Sequence, residues 1–362
     1  MTIDLSLLKD SGISWLNASG PESQIVLSTR VRLARNLQGL PFSIRAQRGD
    51  LESVLDQVVS AGRDSGILDD ATLFRLGELD QLERQLLHER HLVSKELAGL
   101  LAGSPGPRHA AALYTDGELG IMVNEEDHLR LQSLRSGFSL APAYEQLERL
   151  DTELGARLSF AFHTEFGYLT SCPTNAGTGL RASVLVHLPG LVLTKEIAKV
   201  LQGLSQVGLT FRGLYGEGSE VVGNFFQLSN QTTLGKSEEE LLDHLGQIVR
   251  QVVAYETQAR EVLQRDAQGV IADKVWRAYG LLRYARSLSF EEMMNLLSGV
   301  RLGVGLNLIE DLSVYTLNKL LVFTQPAHLT STQGRNLSDA ELAVLRANHV
   351  RHELESDAAR RN

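Results

Sequence analysis

Sulfur and lysine are the scarcest functional groups in this 362-residue chain. Its one cysteine, Cys172, cannot close an internal disulfide, and a single thiol without well-placed histidines cannot build a structural zinc cluster. A reducing, cytoplasmic setting is therefore expected. Met1 to Trp15 hold Asp4 and Lys9 and no long apolar run, so no secretory leader is expected. No uncharged stretch reaches the roughly 18–20 residues that span a bilayer. The net charge of −9 argues against nucleic acid or an anionic membrane as a partner of the whole surface. Lysine occurs seven times, which leaves 28 arginines to carry the positive charge. Compositional bias explains most of them, so the informative ones are those that cluster.

The middle of the chain mixes alternating apolar runs with glycine turns, the pattern of an antiparallel sheet. Residues 111–124 read as a hairpin about Asp116-Gly117, and residues 157–172 repeat the idea with a turn near His163 to Gly167. Further strands are expected over 182–187, 209–214 and 223–228. Helices are expected over 51–63 and 80–90, and after Pro189 over 193–204, covering one face of the sheet. At Ser237 the pattern changes, because Ser237 and Glu240 form a capping box ahead of the apolar stripe Leu241, Leu242, Leu245, Ile248, Val249, Val252 and Val253. Only helices follow, over 272–286, 290–297, 312–321 and 338–355. The expected fold is α+β, an antiparallel sheet flanked by helices over residues 1–255, followed by an all-α region over 256–362.

Four segments carry chemistry. Ser28-Thr29-Arg30-Val31-Arg32 places two guanidinium groups on one face of an extended chain, where they match phosphate oxygens bidentately. A solvated edge strand would read the same way. Asn124-Glu125-Glu126-Asp127-His128-Leu129-Arg130 puts three acids at a strand end, either facing solvent or holding a cation. Cys172 sits in the hydroxyl- and glycine-rich loop Thr170-Ser171-Cys172-Pro173-Thr174-Asn175, followed by Gly177-Thr178-Gly179-Leu180-Arg181. There backbone N–H groups could approach an anion and nearby cations would favour a thiolate, although a small inert side chain fits as well. Arg212-Gly213-Leu214-Tyr215-Gly216-Glu217 adds an arginine and an acid in a glycine-flanked turn. Leu234-Gly235-Lys236-Ser237 is not a Walker A loop, which needs glycine where Asn230 stands.

These four segments, in this order, resemble the phosphagen kinases, which move the γ-phosphoryl group of ATP onto a guanidinium nitrogen. Within that family the chain is most similar to the bacterial protein arginine kinases: only 27 residues precede Ser28, too few for the helical domain of the small-guanidine enzymes, and a helical region follows the catalytic one. The resemblance implies ATP as co-substrate, with Mg²⁺ carried on its phosphates. Arg30, Arg32, Arg130, Arg181 and Arg212 would surround those phosphates, with the rest of the 28–32 and 212–217 segments (Ser28, Thr29, Val31, Gly213, Leu214, Tyr215, Gly216, Glu217) at the nucleotide. His91 would stack on adenine, and Arg181, Ala182, Ser183, Val184 and Leu185 would line the nucleotide. Glu126 and Glu217 would grip the substrate guanidinium and take its proton, and Cys172 would align it.

The resemblance further implies protein substrates bearing exposed arginine, a homodimer, a zinc-binding activator protein, a heat-shock repressor as target and a Clp chaperone-protease as reader. Glu125, Glu126 and Asp127 would form an acidic surface attracting basic substrates. One departure stands out. Where the family carries Arg-Asp-x-x-Arg-Ala for phosphoarginine binding, this chain has Leu342-Ala343-Val344-Leu345-Arg346-Ala347, so phosphoarginine activation is not expected. Two alternatives stay open from sequence: a kinase of free arginine or another small guanidine, and a catalytically silent, kinase-like adaptor.

Overall fold

The computed structural model describes residues 13–68, 70–214 and 221–361. Eight strands form one antiparallel sheet in the order β2-β3-β4-β5-β1-β8-β10-β9. They are β1 (Val26–Arg35), β2 (Thr72–Arg75), β3 (Ala112–Thr115), β4 (Leu119–Val123), β5 (Leu129–Ser136), β8 (Leu180–His187), β9 (Leu209–Arg212) and β10 (Phe225–Asn230). The short pair β6 (Phe162–His163) and β7 (Gly167–Tyr168) makes a separate hairpin. Both hairpins expected from the sequence are present. In the first, Asp116 Oδ1 accepts from the Glu118 and Leu119 N–H groups and Gly117 takes φ +101°.

Side chains on successive strand positions point to opposite faces, and this period of two sorts the sheet by chemistry. One face carries Val31, Leu33, Leu129, Leu131, Ala182, Val184 and Leu228. It forms the main core with α1 (Arg48–Asp64), α3 (Leu140–Gly155) and α6 (Glu238–Asp266). The alternate positions, on the other face, are Arg30 and Arg32, Arg130 and Gln132, Arg181 and Ser183, and Gln227. Register then makes the arginines neighbours, because Arg32 lies opposite both Arg181 of β8 and Gln132 of β5.

Two helices differ from expectation. The run after Pro189 is not one helix but α4 (Pro189–Leu193) and α5 (Ile197–Gln206), divided where Lys195 takes φ +63°. The helix α3 was not among those expected, although Leu140, Ala143, Leu147, Leu150 and Leu154 bury one face at helical spacing. Pro142 reads as a breaker there. Within the first turn its missing N–H would have had no intrahelical acceptor, so it costs little.

The helix α6 begins at the expected Ser237–Glu240 capping box and runs unbroken through residue 255 to Asp266. It is followed by α7 (Gln268–Tyr284), α8 (Phe290–Gly305), α9 (Val314–Phe323), α10 (Pro326–Ser331) and α11 (Asp339–Arg361). Of these helices, α7, α8, α9 and α11 share a second core with Leu27, Leu185, Leu214 and Phe225, which lie on the arginine side or at the end of the sheet. The helical region therefore covers one end of that face and leaves the arginine section open. No described helix is long and apolar enough to cross a membrane.

The helix α2 (Gln81–Glu89) is bound to this helical region. Glu89, buried, accepts from the Ala327 and His328 N–H groups at the start of α10 (3.0 and 3.2 Å) and from His328 Nδ1 (2.8 Å). Arg90 Nε donates to His328 Nε2 (3.3 Å). The N-terminal segment is held the same way: Asn318 Nδ2 donates to Leu16 O, and Arg301 Nη2 to Ser23 O.

Candidate active site

A cavity of about 440 Å³ opens on the polar face of the sheet and is lined by Arg30, Arg32, Arg130, Arg181 and Arg212 together with His91, Glu126, Gln132 and Gln227. The central strands β1, β5 and β8 and the edge strand β9 thus deliver five guanidinium groups to one place. Their burial and crowding have an electrical consequence. Burial first, then Arg130 and Arg181, push the Arg30 guanidinium down to about 10. Burial, followed by Arg30, Arg130 and Arg181, holds Arg32 well below the usual guanidinium range. Arg32 Nε is buried with no hydrogen-bond partner among the described residues. Such a cluster is held at a cost and is complementary to a polyanion, whose oxygens would satisfy the orphan donor and relieve the repulsion.

His91 forms the side of the cavity next to α2. It takes φ +62°, a left-handed conformation that disfavours any residue with a Cβ. Its carbonyl accepts from Gln132 Nε2 (3.0 Å), and Trp15 meets its ring edge-on at 5.2 Å between centroids. Burial, then Arg30 and His88, depress the imidazole well below its ordinary value, so it presents a neutral aromatic face. A small adjoining cavity is lined by Ser28, Ser183, Leu185 and Leu214.

The acidic turn divides into three different environments, and only part of the expected acidic surface exists. Glu125 is buried and pairs with Arg130 Nη1 at 2.5 Å, while Ser94 Oγ donates to its other oxygen. Asp127 is buried and accepts from Asn36 Nδ2 (2.7 Å) and the Ser171 N–H (2.6 Å). His128 accepts the Leu37 N–H at Nδ1 (3.0 Å) and lies 2.9 Å from Pro41 O at Nε2, so it serves as a neutral brace for the backbone after β1. Glu126 alone stays half-open at the cavity rim, 3.4 Å from Arg130 Nη2. Burial raises its carboxyl above the ordinary value against the pull of Arg130, with Asp127 and Glu125 adding to the rise. A carboxylate so placed is closer in proton affinity to a working base than an exposed one.

Cys172 lies outside the residues lining the cavity, on a loop beside it. The loop is stitched to the acidic turn because Ser171 Oγ donates to Glu126 O (2.8 Å) in addition to the Ser171–Asp127 bond. Its sulfur is 3.0 Å from Thr174 Oγ1. Thr29, Val31, Ala182 and Val184 alternate to the opposite face. Val31, Ala182 and Val184 sit in the apolar core, and Thr29 Oγ1 donates to Gly137 O, so these four side chains do not reach the cavity. Gly213 follows β9 directly, and Tyr215, Gly216 and Glu217 lie outside the described residues. The structure adds Gln132, Gln227, Ser94, Arg108 and Glu125 to the cavity wall. Gln132 was signalled by its place two residues after Arg130 and Glu125 by the acidic run, and the others by no local pattern. Among the described residues no three His, Cys, Asp or Glu side chains are grouped to hold a metal ion.

Residues 53–259 match the family described as ATP:guanido phosphotransferase, C-terminal catalytic domain, and residues 268–362 match the Protein-arginine kinase McsB C-terminal domain. A protein-arginine kinase of Pelotomaculum thermopropionicum is 47% identical over 343 residues, 94% of this chain and 95% of that protein. Another, of Bacillus subtilis, is 40% identical over 349 residues, covering 96% and 94%. Among solved structures, a lombricine kinase superposes with a TM-score of 0.57 at 28% identity, covering 68% of this chain and 71% of that one.

Proposed function

This chain belongs to the protein-arginine kinases of the ATP:guanido phosphotransferase family, and from that membership we propose that it phosphorylates the guanidinium of arginine side chains in proteins. The observation that carries this reading to the residues is the convergence of Arg30, Arg32, Arg130, Arg181 and Arg212 on one cavity with Glu126 at its rim. The arginines neutralise the phosphates of ATP and the migrating phosphoryl group, where positioning and charge stabilisation supply most of the catalysis. His91 offers its neutral ring to the base, and Ser28, Ser183, Leu185 and Leu214 extend the nucleotide side of the cavity.

On the acceptor side, a guanidinium with a pKa above about 12 is neither deprotonated nor nucleophilic until a base assists it. As the N–P bond forms and the bond from the γ-phosphorus to the ADP oxygen breaks, the guanidinium proton passes to Glu126 or Glu217. The other carboxylate and Cys172 orient the group. Mg²⁺ would enter as part of the substrate, carried on the nucleotide phosphates, as the resemblance implies. The chain divides in this reading into a catalytic unit over 1–255 and a helical unit over 256–362, with α6 common to both.

Arg346 spends its guanidinium on Thr324 O (2.9 Å) and Leu288 O (2.8 Å), at the end of α9 and just ahead of α8. With Leu342 and Ala343 beside it, no phosphoarginine fork is assembled, which supports an enzyme that its product does not activate. The cytoplasmic setting rests on the single cysteine, and the homodimer, the zinc-binding activator, the heat-shock repressor, the Clp chaperone-protease and a role in protein quality control rest on the resemblance alone. The direct test incubates the enzyme with MgATP and an unfolded basic protein, with free arginine in parallel. Acid-labile phosphate on protein arginine is expected; phosphorylation of free arginine alone would overturn the reading.

A further inference from the structure

An arginine side chain holds its guanidinium about 7 Å from its own Cα, so a substrate polypeptide entering this site must lay its backbone on the rim while the guanidinium sits at Glu126. The composition of that rim then decides which neighbours of the target arginine are welcome. On the Cys172 side the rim is apolar. The β6–β7 hairpin ends three residues before Ser171, which is itself hydrogen-bonded to Glu126 O, so the hairpin stands within about 10 Å of the acidic turn. Its Phe162 and Phe166 are 57% and 47% exposed, so the hairpin offers two aromatic side chains to whatever lies against it.

The hairpin is braced to present them. Tyr168 packs edge-on against Phe162 (5.3 Å between centroids) and carries the Arg35 guanidinium 3.5 Å from its ring centre, and His163 stacks on Phe166 at 4.9 Å. On the far side, the Tyr168 N–H donates to Gly177 O, and Thr233 Oγ1 donates to Thr174 O and Ala176 O. This fixes the neighbouring Leu234, 54% exposed, beside the same loop. Ile44, 72% exposed, lines the cavity mouth together with Glu126. Exposed apolar groups thus occur at the cavity mouth, at Ile44, and on the two segments that adjoin the Cys172 loop, the β6–β7 hairpin and Leu234.

We propose that Phe162, Phe166 and Leu234, with Ile44 at the mouth, form a docking rim for the polypeptide flanking the target arginine, selecting arginines whose near neighbours are large apolar residues. The inference rests on the protein-arginine reading above and names the substrate class of that same site. Continuity with the guanidinium pocket is what commits the rim to this occupant: no other chain can lie there while an arginine side chain is being phosphorylated. Apolar neighbours of arginine are buried in most folded proteins, so the rim favours segments that are extended and exposed.

The test uses the full chain, MgATP and two synthetic dodecapeptides with one central arginine, flanked on both sides by leucine and phenylalanine in one and by serine and glycine in the other. The wild-type enzyme should show a KM about tenfold lower for the apolar peptide with kcat within about twofold. Phe162→Ser/Phe166→Ser, and Phe166→Ser alone should the pair disturb the hairpin, should raise the KM of the apolar peptide toward that of the polar one, with MgADP affinity serving as the check on folding. Equal KM values for the two peptides with wild type would overturn the proposal. So would a preference that survives both variants. Phosphorylation of neither peptide would instead overturn the protein-arginine reading, and this proposal with it.

Discussion

Replacing Arg30 with methionine should make the protein more stable and nearly inactive. The guanidinium of Arg30 falls well below its ordinary value, to about 10, because burial and the Arg130 and Arg181 charges oppose its protonation. In the unfolded chain the group binds its proton up to the higher value and in the folded chain only up to the lower one. Stability is therefore lost as pH falls from the ordinary guanidinium value to about 10, and the whole cost is present at neutral pH. At 1.36 kcal/mol per tenfold change in proton affinity, this amounts to roughly 3 kcal/mol. Water in the open cavity screens part of it, and Gln227 Oε1 loses a long 3.4 Å hydrogen bond, so a net gain of about 1–2 kcal/mol is expected for Arg30→Met. In thermal unfolding this reads as a rise of roughly 2–4 °C. The same substitution removes one charge-stabilising donor from the phosphoryl site, lowering kcat by about 10²–10³. It should also shrink the rise in Tm that MgADP gives the wild type. A variant that melts several degrees below wild type while keeping its full response to MgADP would refute the reasoning, because the arginine cluster would then be a structural asset rather than a strained receptor.

Three further outcomes are expected. Because burial lifts Glu126 above the ordinary carboxylate value, kcat/KM should fall on the acid side as this group takes up its proton. Glu126→Gln should remove that limb from the pH profile and lower kcat by at least about 10². His328→Ala strips the Glu89 carboxylate of one donor and Arg90 of its acceptor, costing roughly 2–3 kcal/mol in unfolding measurements and raising the KM for ATP several-fold through His91, with little change in kcat. Gly179→Ala should destabilise by roughly 1–3 kcal/mol, since φ is +68° and the new Cβ would stand 2.6 Å from Ala34 O; an unchanged Tm would contradict the register of β1 and β8.

The polar face of the sheet was legible because it obeys a local rule. Arg30 and Arg32 are two residues apart, as are Arg130 and Gln132, so an extended chain puts each pair on one side without reference to the rest of the fold. The same rule sends Thr29, Val31, Ala182 and Val184 to the core, and taking whole segments as site residues overlooked it. The acidic turn misled for a different reason: whether Glu125, Asp127 and His128 face water depends on Ser94, Asn36, Ser171 and Pro41, which reach the turn only through tertiary structure. Pro142 concealed α3 because a proline signals a break unless its place within the first turn is known. The Glu89–His328 contact joins positions 239 residues apart, and no window along the chain could show it.

That contact also sets an order of events during synthesis. The wall formed by His91 and Trp15 is held by α2 against α10 and by Leu16 against Asn318. Residues 318–328 leave the ribosome more than two hundred positions after the histidine they support, at 5–20 residues per second an interval of about 10–50 s. From about the middle of that interval, once Arg212 has emerged, the arginine-bearing strands are all made, while the turn that presents His91 in a disfavoured conformation still has nothing to lean on. A nascent chain of this kinase would hold the parts of a phosphate receptor without a finished nucleotide pocket, and so would be unable to act on the arginines of its own unfolded remainder until the helical region had closed behind it.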